Sequence, residues 1–198
     1  MPDVLHAALA FLPVAAFLAL LPGPATAMVI QSAARGGRAQ AMRATAGDAA
    51  GLALWAVASM LGVSALLAAS HIAFTTLKIV GAIVLIAYGI SAIRHRDTTF
   101  EMPRGGAFRM GLLTALTNPK VGLFYIALLP QFVPDGTPVL PATLLLAGIQ
   151  ISLSCGWYLI LATAVHRIRD AYARHRGRIQ AATGALMIGF GLRLLADR

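Results

Sequence analysis

The sequence predicts an all-α, polytopic membrane protein with six transmembrane helices. Three observations carry that expectation: too few polar residues for a water-exposed globule, six apolar runs of spanning length, and basic residues gathered in alternate connections. Of 198 residues, 59% are hydrophobic and 12% charged, against about a quarter charged in a soluble domain. Mean hydropathy is +0.78. Lipid accepts apolar side chains on the outside of a protein, which removes the shortage of polar surface.

A spanning helix needs about 20 mainly apolar residues. The first run, Val4 to about Ala34, is long and interrupted by Pro22-Gly23-Pro24. The Ala25-Thr26-Ala27 that follows imitates a signal-peptide cleavage site. However, the start Met1-Pro2-Asp3-Val4-Leu5-His6 has no positive region and the apolar run resumes at Met28, so an uncleaved span is expected. The second run covers about Ala44 to Ala69 and the third about Ile72 to Ile93. A fourth, Phe108 to about Val133, is broken at Asn118-Pro119. The fifth covers about Val139 to Val165, and the sixth, about Ile179 to Leu195, is short.

Twelve of the sixteen Lys and Arg residues fall in three alternate connections. Arg35, Arg38 and Arg43 separate runs one and two; Arg94, Arg96, Arg104 and Arg109 separate three and four; Arg167, Arg169, Arg174, Arg176 and Arg178 separate five and six. The other connections, Ser70-His71 and Pro134-Asp135-Gly136-Thr137-Pro138, are nearly bare. By the positive-inside rule both termini face away from the cytoplasm of a bacterial inner membrane. The same placement explains the net charge of +9 without nucleic acid, which would call for a continuous basic face. The lipid bilayer is the expected partner surface, and a homo-oligomer is compatible with the sequence. Lys78, Arg193 and Arg198 lie at outer ends of runs, where long side chains reach the interface. A single cysteine, Cys155, builds neither a disulfide framework nor a zinc site.

Residues 1–198 read as one transporter domain, with halves of about 1–97 and 98–198. Three runs lie in each half, so the halves have opposite orientations and suit a 3+3 inverted repeat. The first run of each half is the one that proline interrupts. Pro22 is thirteen residues from Arg35 and Pro119 ten from Arg109, which places both breaks roughly 15–20 Å from the cytoplasmic interface. An isolated proline kink is common in membrane helices. Two breaks, each heading a half and matched in depth, point instead to a binding site. Asn118 suits the cap of a half-helix starting at Pro119, and Pro24 suits the start of another. Free N–H groups at such starts favour carboxylates.

Asp48 is the one acid within a membrane run and Lys120 the one deep base. A charge at mid-membrane costs at least about 2.5–3.5 kcal/mol on insertion scales, so it faces a cavity or a partner. Asp48 is a candidate to hold a substrate ammonium or a coupling proton. A static pair with Lys120, a hydrogen-bonded neutral acid and a shallow position near Arg43 are the alternatives. Lys120 would serve a substrate carboxylate or Asp48. Gly47 and Gly51 make room for close helix packing. Gln31, Gln131, Gln150 and Tyr125 are uncharged candidates for a lining, each equally suited to structural hydrogen bonds. Trp55, Trp157 and Tyr158 read as belt or packing residues.

Three places resemble the LysE/RhtB family of amino-acid exporters: Leu21-Pro22-Gly23-Pro24; Leu77-Lys78 with Gly81 and Tyr88-Gly89; and Gly111-Leu112-Leu113-Thr114 through Asn118-Pro119-Lys120 to Leu129-Pro130-Gln131-Phe132. The resemblance extends over nearly the whole chain. It implies efflux of amino acids or small derivatives, driven by the proton gradient. The substrate-binding set expected is Pro22, Gly23, Pro24, Asp48, Asn118, Pro119 and Lys120, with Asp48 also coupling the proton. Exchange of this kind is not enzymatic and needs no cofactor. A metal-ion exporter is the first alternative, although a cation site wants several Asp, Glu or His ligands. An intramembrane enzyme is the second, although all five histidines lie at run ends or in connections.

Overall fold

A computed structural model of the chain describes residues 2–69, 71–94, 106–134 and 136–196. Ser70, His95, Arg96, Asp97, Glu101, Arg104, Asp135, Asp197 and Arg198 lie outside the described residues, as do the side chains of Asp3, Lys78, Pro119 and Asp170. Every described element is helical. Helix α1 (Pro2–Leu20) ends before Pro22, and α2 (Pro24–Ala69) starts with a proline, whose missing N–H costs nothing at a first helical position. The interruption of the first run is therefore a stop and a restart. Leu21 N–H still donates to Phe17 O, and Ala27 N–H already donates to Gly23 O.

The connection expected around Arg35 to Arg43 is shorter than the charges suggest. Helix continues through it apart from Gly36 (φ −138°, ψ 21°) and Gly37 (φ 67°, ψ −167°). The second conformation is one that only glycine adopts without strain. The surrounding Arg38-Ala39-Gln40-Ala41-Met42-Arg43 are mostly strong helix formers, so helix runs up to the glycines. Helix α3 spans His71–Arg94 and α4 Ala107–Thr117. After Asn118 come α5 (Pro119–Leu123), a π turn (Phe124–Leu128) and a 3-10 turn (Leu129–Phe132). Helix α6 (Val139–Ala196) carries helical structure through Arg167–Arg178, which the charge pattern assigns to a connection. The stretch holds no proline, and the helix passes through its one glycine, Gly177.

Among the described residues, Pro24–Gly62 and Val139–Val165 are each long and apolar enough to cross a membrane. The pair Ala107–Thr117 and Lys120–Phe132, bent by 54°, makes a third if counted as one broken span, and Val4–Leu20 is a shorter apolar helix. The polarity runs opposite to that of a soluble protein. Leu5, Leu61, Ile83, Ile160 and Leu192 are exposed, whereas Asp48, Asn118, Lys120, Gln150 and Ser154 are buried. Such a surface fits hydrocarbon.

Glycine sets the two closest helix contacts. A Cβ on Gly47 would lie 1.9 Å from Phe108 O, one on Gly111 1.9 Å from Ala44 O, and one on Gly51 2.5 Å from the Ala115 Cβ. The order of these contacts makes α2 and α4 parallel, backbone against backbone. Gly89 and Gly184 meet in the same way, since a Cβ on either would lie 2.5 Å or 2.4 Å from the other's carbonyl oxygen, and Gly191 packs on Ala82 and Ile86. Here the order is reversed, so α3 and the C-terminal part of α6 are antiparallel. Small residues allow this approach, and dispersion between the touching backbones rewards it in lipid.

Candidate functional site

The break at Asn118 is built from local hydrogen bonds. Asn118 Oδ1 accepts from Lys120 N–H at 3.1 Å, and its backbone carbonyl accepts from Val121 and Gly122. The side chain thus caps α5, as an N-cap asparagine does. Carbonyls near the break are served from α2. Trp55 Nε1–H donates to Ala115 O at 3.2 Å, and Ser59 Oγ–H donates to Tyr125 O. The second of these falls within the π turn, where the widened ladder leaves backbone groups seeking other partners.

Lys120 then joins the two breaks. Its Nζ donates to Leu18 O and Leu21 O, both at 3.2 Å. These carbonyls belong to the end of α1, where no further helical turn supplies donors. A Cβ on Gly23 would sit 3.9 Å from the same Nζ. The ammonium of the second break therefore caps the helix that stops at the first. Phe11 of α1 adds apolar contact to the same junction, stacking on Phe124 at 5.9 Å and meeting Phe132 edge-on at 5.2 Å.

Beside this junction lies a small cavity of about 30 Å³. Four elements reach it: α1 through Leu18, α2 through Asp48 and Leu52, the broken segment through Asn118, Lys120, Val121, Phe124 and Tyr125, and α6 through Gln150, Ser154 and Tyr158. The volume is room for a water or two, so an amino acid enters only as the walls part. Asp48, Asn118 and Lys120 of the sequence-predicted set are brought together here. Pro22, Gly23 and Pro24 stand behind Lys120 and are not among the lining residues. Pro119 opens α5.

Four polar atoms of lining residues have no hydrogen-bond partner within the described protein: Asp48 Oδ1, Asn118 Nδ2, Tyr125 OH and Gln150 Oε1. Buried polar groups are paired in the great majority of cases, so four such atoms around one cavity are open to pairing by water or by a guest. Two are acceptors, Asn118 Nδ2 is a donor, and the Tyr125 hydroxyl is both. Asp48 and Lys120 line the same cavity, one acid and one base. The site therefore offers a carboxylate and an acceptor for a cationic group, and donors beside an ammonium for an anionic one. Among the described residues no group of three or more His, Cys, Asp or Glu gathers to hold a metal ion.

Gln150 and Tyr125, two of the four uncharged polar candidates, line the cavity. Gln131 instead donates to Ala127 O at 3.3 Å, and Gln31 is not part of the lining. Ser154, which the sequence does not single out, and Tyr158, which it assigns to a belt or packing role, also line the cavity. The available signal was their spacing with Gln150, at i, i+4 and i+8, which puts polar groups on one face of an otherwise apolar helix.

The profile of LysE type translocators matches residues 16–198. An uncharacterized membrane protein of Bacillus subtilis is 28% identical over 96% of this chain and 98% of its own length. A second uncharacterized membrane protein, from Pseudomonas aeruginosa, is 33% identical over 90% of this chain and 89% of its own. The threonine efflux protein of Salmonella typhi is 28% identical, over 89% of this chain and 91% of its own. No solved structure matches the chain significantly.

Proposed function

The chain belongs to the LysE type translocator family, and on that premise we propose that it exports an amino acid or small amino-acid derivative, driven by the proton gradient. One observation carries the reading. One cavity joins the acid of α2 to the capped break before α5, with unpartnered acceptors and donors both lining it. A zwitterion presents the matching pair of groups. Its ammonium meets Asp48, and its carboxylate meets Asn118 Nδ2 and the Tyr125 hydroxyl beside the Lys120 charge. The full-length likeness to a threonine efflux protein supports the same class of cargo.

Asp48 binds either the substrate ammonium or a proton, since one carboxylate does not hold both. Competition at that atom couples substrate release to proton entry. The half of about 1–97 rocks against the half of about 98–198, and the cavity opens alternately to the two sides. Both termini stand outside the cytoplasm, so the arginine-bearing bends face inward.

Counter-transport of labelled amino acids by the purified protein in proteoliposomes tests the reading. At least one amino acid exchanges well above empty liposomes, and a pH gradient drives its net movement. Asp48→Asn lowers gradient-driven export by about tenfold or more, the size expected for loss of one charged contact. Wild-type export by Asp48→Asn removes Asp48 from the mechanism. Failure of every amino acid in the panel overturns the export reading itself.

A further inference from the structure

We propose that Gln150 and Ser154 of α6 form a subsite that reads the substrate's side chain, selecting a neutral amino acid with a short hydroxyl-bearing side chain. The inference rests on the export reading above and adds to it the substrate class and the residues that choose it. Three features of the cavity lead there.

The first is charge. Asp48 and Lys120 are the charged side chains among the lining residues described. One negative and one positive group answer the two charges that every amino acid carries. A lysine, arginine, aspartate or glutamate brings a third charge into a site at membrane depth, where an unmatched charge is unfavourable. A neutral side chain leaves the site balanced.

The second is the geometry of the pair. Gln150 and Ser154 are one helical turn apart, and both are more than nine-tenths buried. Gln150 Nε2 donates to Ser154 Oγ at 3.1 Å, which fixes the orientation of the amide. Gln150 Oε1 is left without a partner in the cavity wall. Ser154 has used one acceptor site, and its hydroxyl also carries a proton that can donate. The pair thus presents an acceptor and a donor side by side. An ammonium only donates and a carboxylate only accepts, whereas a hydroxyl does both, so a hydroxyl uses the whole pair.

The third is the remaining surface. Leu18, Leu52, Val121 and Phe124 complete the lining with apolar groups. They suit a methyl or methylene beside the hydroxyl and limit its length. With Asp48, Asn118 and Tyr125 occupied by the substrate's ammonium and carboxylate, Gln150 Oε1 is the unpartnered atom left over.

Threonine and valine separate this role from a structural one, because they share a shape and differ by a hydroxyl. A site built to bond a hydroxyl rejects the analogue that lacks it, since its own polar groups go unpaired. Counterflow rates of labelled threonine, valine and lysine are measured in one preparation of the reconstituted protein. Wild type favours threonine over valine by about tenfold or more, with lysine below threonine. In Gln150→Leu/Ser154→Ala the threonine-to-valine ratio falls to about one, while valine still moves. A ratio within one preparation does not depend on how much protein has folded. Should the double variant fail to fold, Ser154→Ala alone lowers the ratio by about threefold or more, the share of one neutral hydrogen bond. An unchanged ratio in the variants overturns the subsite, as does a wild type that moves valine or lysine as well as threonine. A Gln150 that instead held the ammonium would depress threonine and valine equally and leave the ratio unchanged. If wild type exchanges no amino acid at all, the export reading falls and the subsite with it. Amino-acid exchange without this discrimination sinks the subsite alone.

Discussion

Lys120 answers two local needs at once. Its ammonium fills carbonyls at the end of α1 and supplies positive charge beside Asp48. Removing it should leave both the carbonyls and the carboxylate uncompensated. Lys120→Met is expected to lower stability by about 3 kcal/mol or more, because truncating one member of a buried charged set strands the other. Adding Asp48→Asn removes the stranded charge, so Asp48→Asn/Lys120→Met should recover part of that loss. Thermal unfolding of the three variants in detergent, arranged as a double-mutant cycle, measures the coupling. Additive losses would show that the two charges stabilise the protein independently. At this scale the sequence identifies Asp48, Asn118 and Lys120, because charge and proline stand out against an apolar background. It does not identify Ser154 and assigns Tyr158 to a belt or packing role, since each is individually ordinary in a membrane helix.

The helices meet through glycines, and there the tolerance for change is smallest. Gly111 faces Ala44 O and Asp48 N across the α2–α4 contact, with 1.9 Å and 2.8 Å available to a Cβ. Gly111→Val must push the two helices apart. A loss of about 2–4 kcal/mol is expected from such overpacking, along with displacement of Asp48 from the cavity. Gly148→Ala, on a glycine with nothing nearby to meet a Cβ, should be close to neutral. Comparing unfolding temperatures of the two variants tests the contact, and equal stability would refute it. The Gly47-x-x-x-Gly51 spacing suggests close packing from sequence. Only the fold shows that its partner is α4 and that the partner carries a matching glycine at Gly111. Element ends are less legible. Strong helix formers carry α2 through its basic stretch to Gly36-Gly37, and an uninterrupted run carries α6 through Arg167–Arg178. Charge alone does not stop a helix.

For the whole molecule, the proposed orientation has a direct test. Single cysteines at exposed Arg38 and at Gly136, in a Cys155→Ser background, should label from opposite sides of intact cells. Arg38→Cys is expected to react with membrane-impermeant maleimide only after lysis, and Gly136→Cys before it. The reverse pattern would invert the topology, and labelling of both before lysis would contradict it. Within the fold, α2 and α4 run parallel, and α3 and late α6 run antiparallel.

The sequence by itself determined the environment and the class of structure. Six apolar runs and a charge pattern confined to their connections have one favourable solvent, and that inference needs no contacts between distant residues. It also marked the two breaks, because proline removes a backbone donor wherever it stands. Tertiary structure decided what the breaks are for. Leu18 and Lys120 are 102 positions apart, yet the carbonyl of one receives the ammonium of the other. Gln150 joins Asp48 and Asn118 through the packing of α6 against α1 and α2. A cavity is a property of space left between elements. Periodicity along a chain records which face of a helix is polar, but not which other faces it will meet.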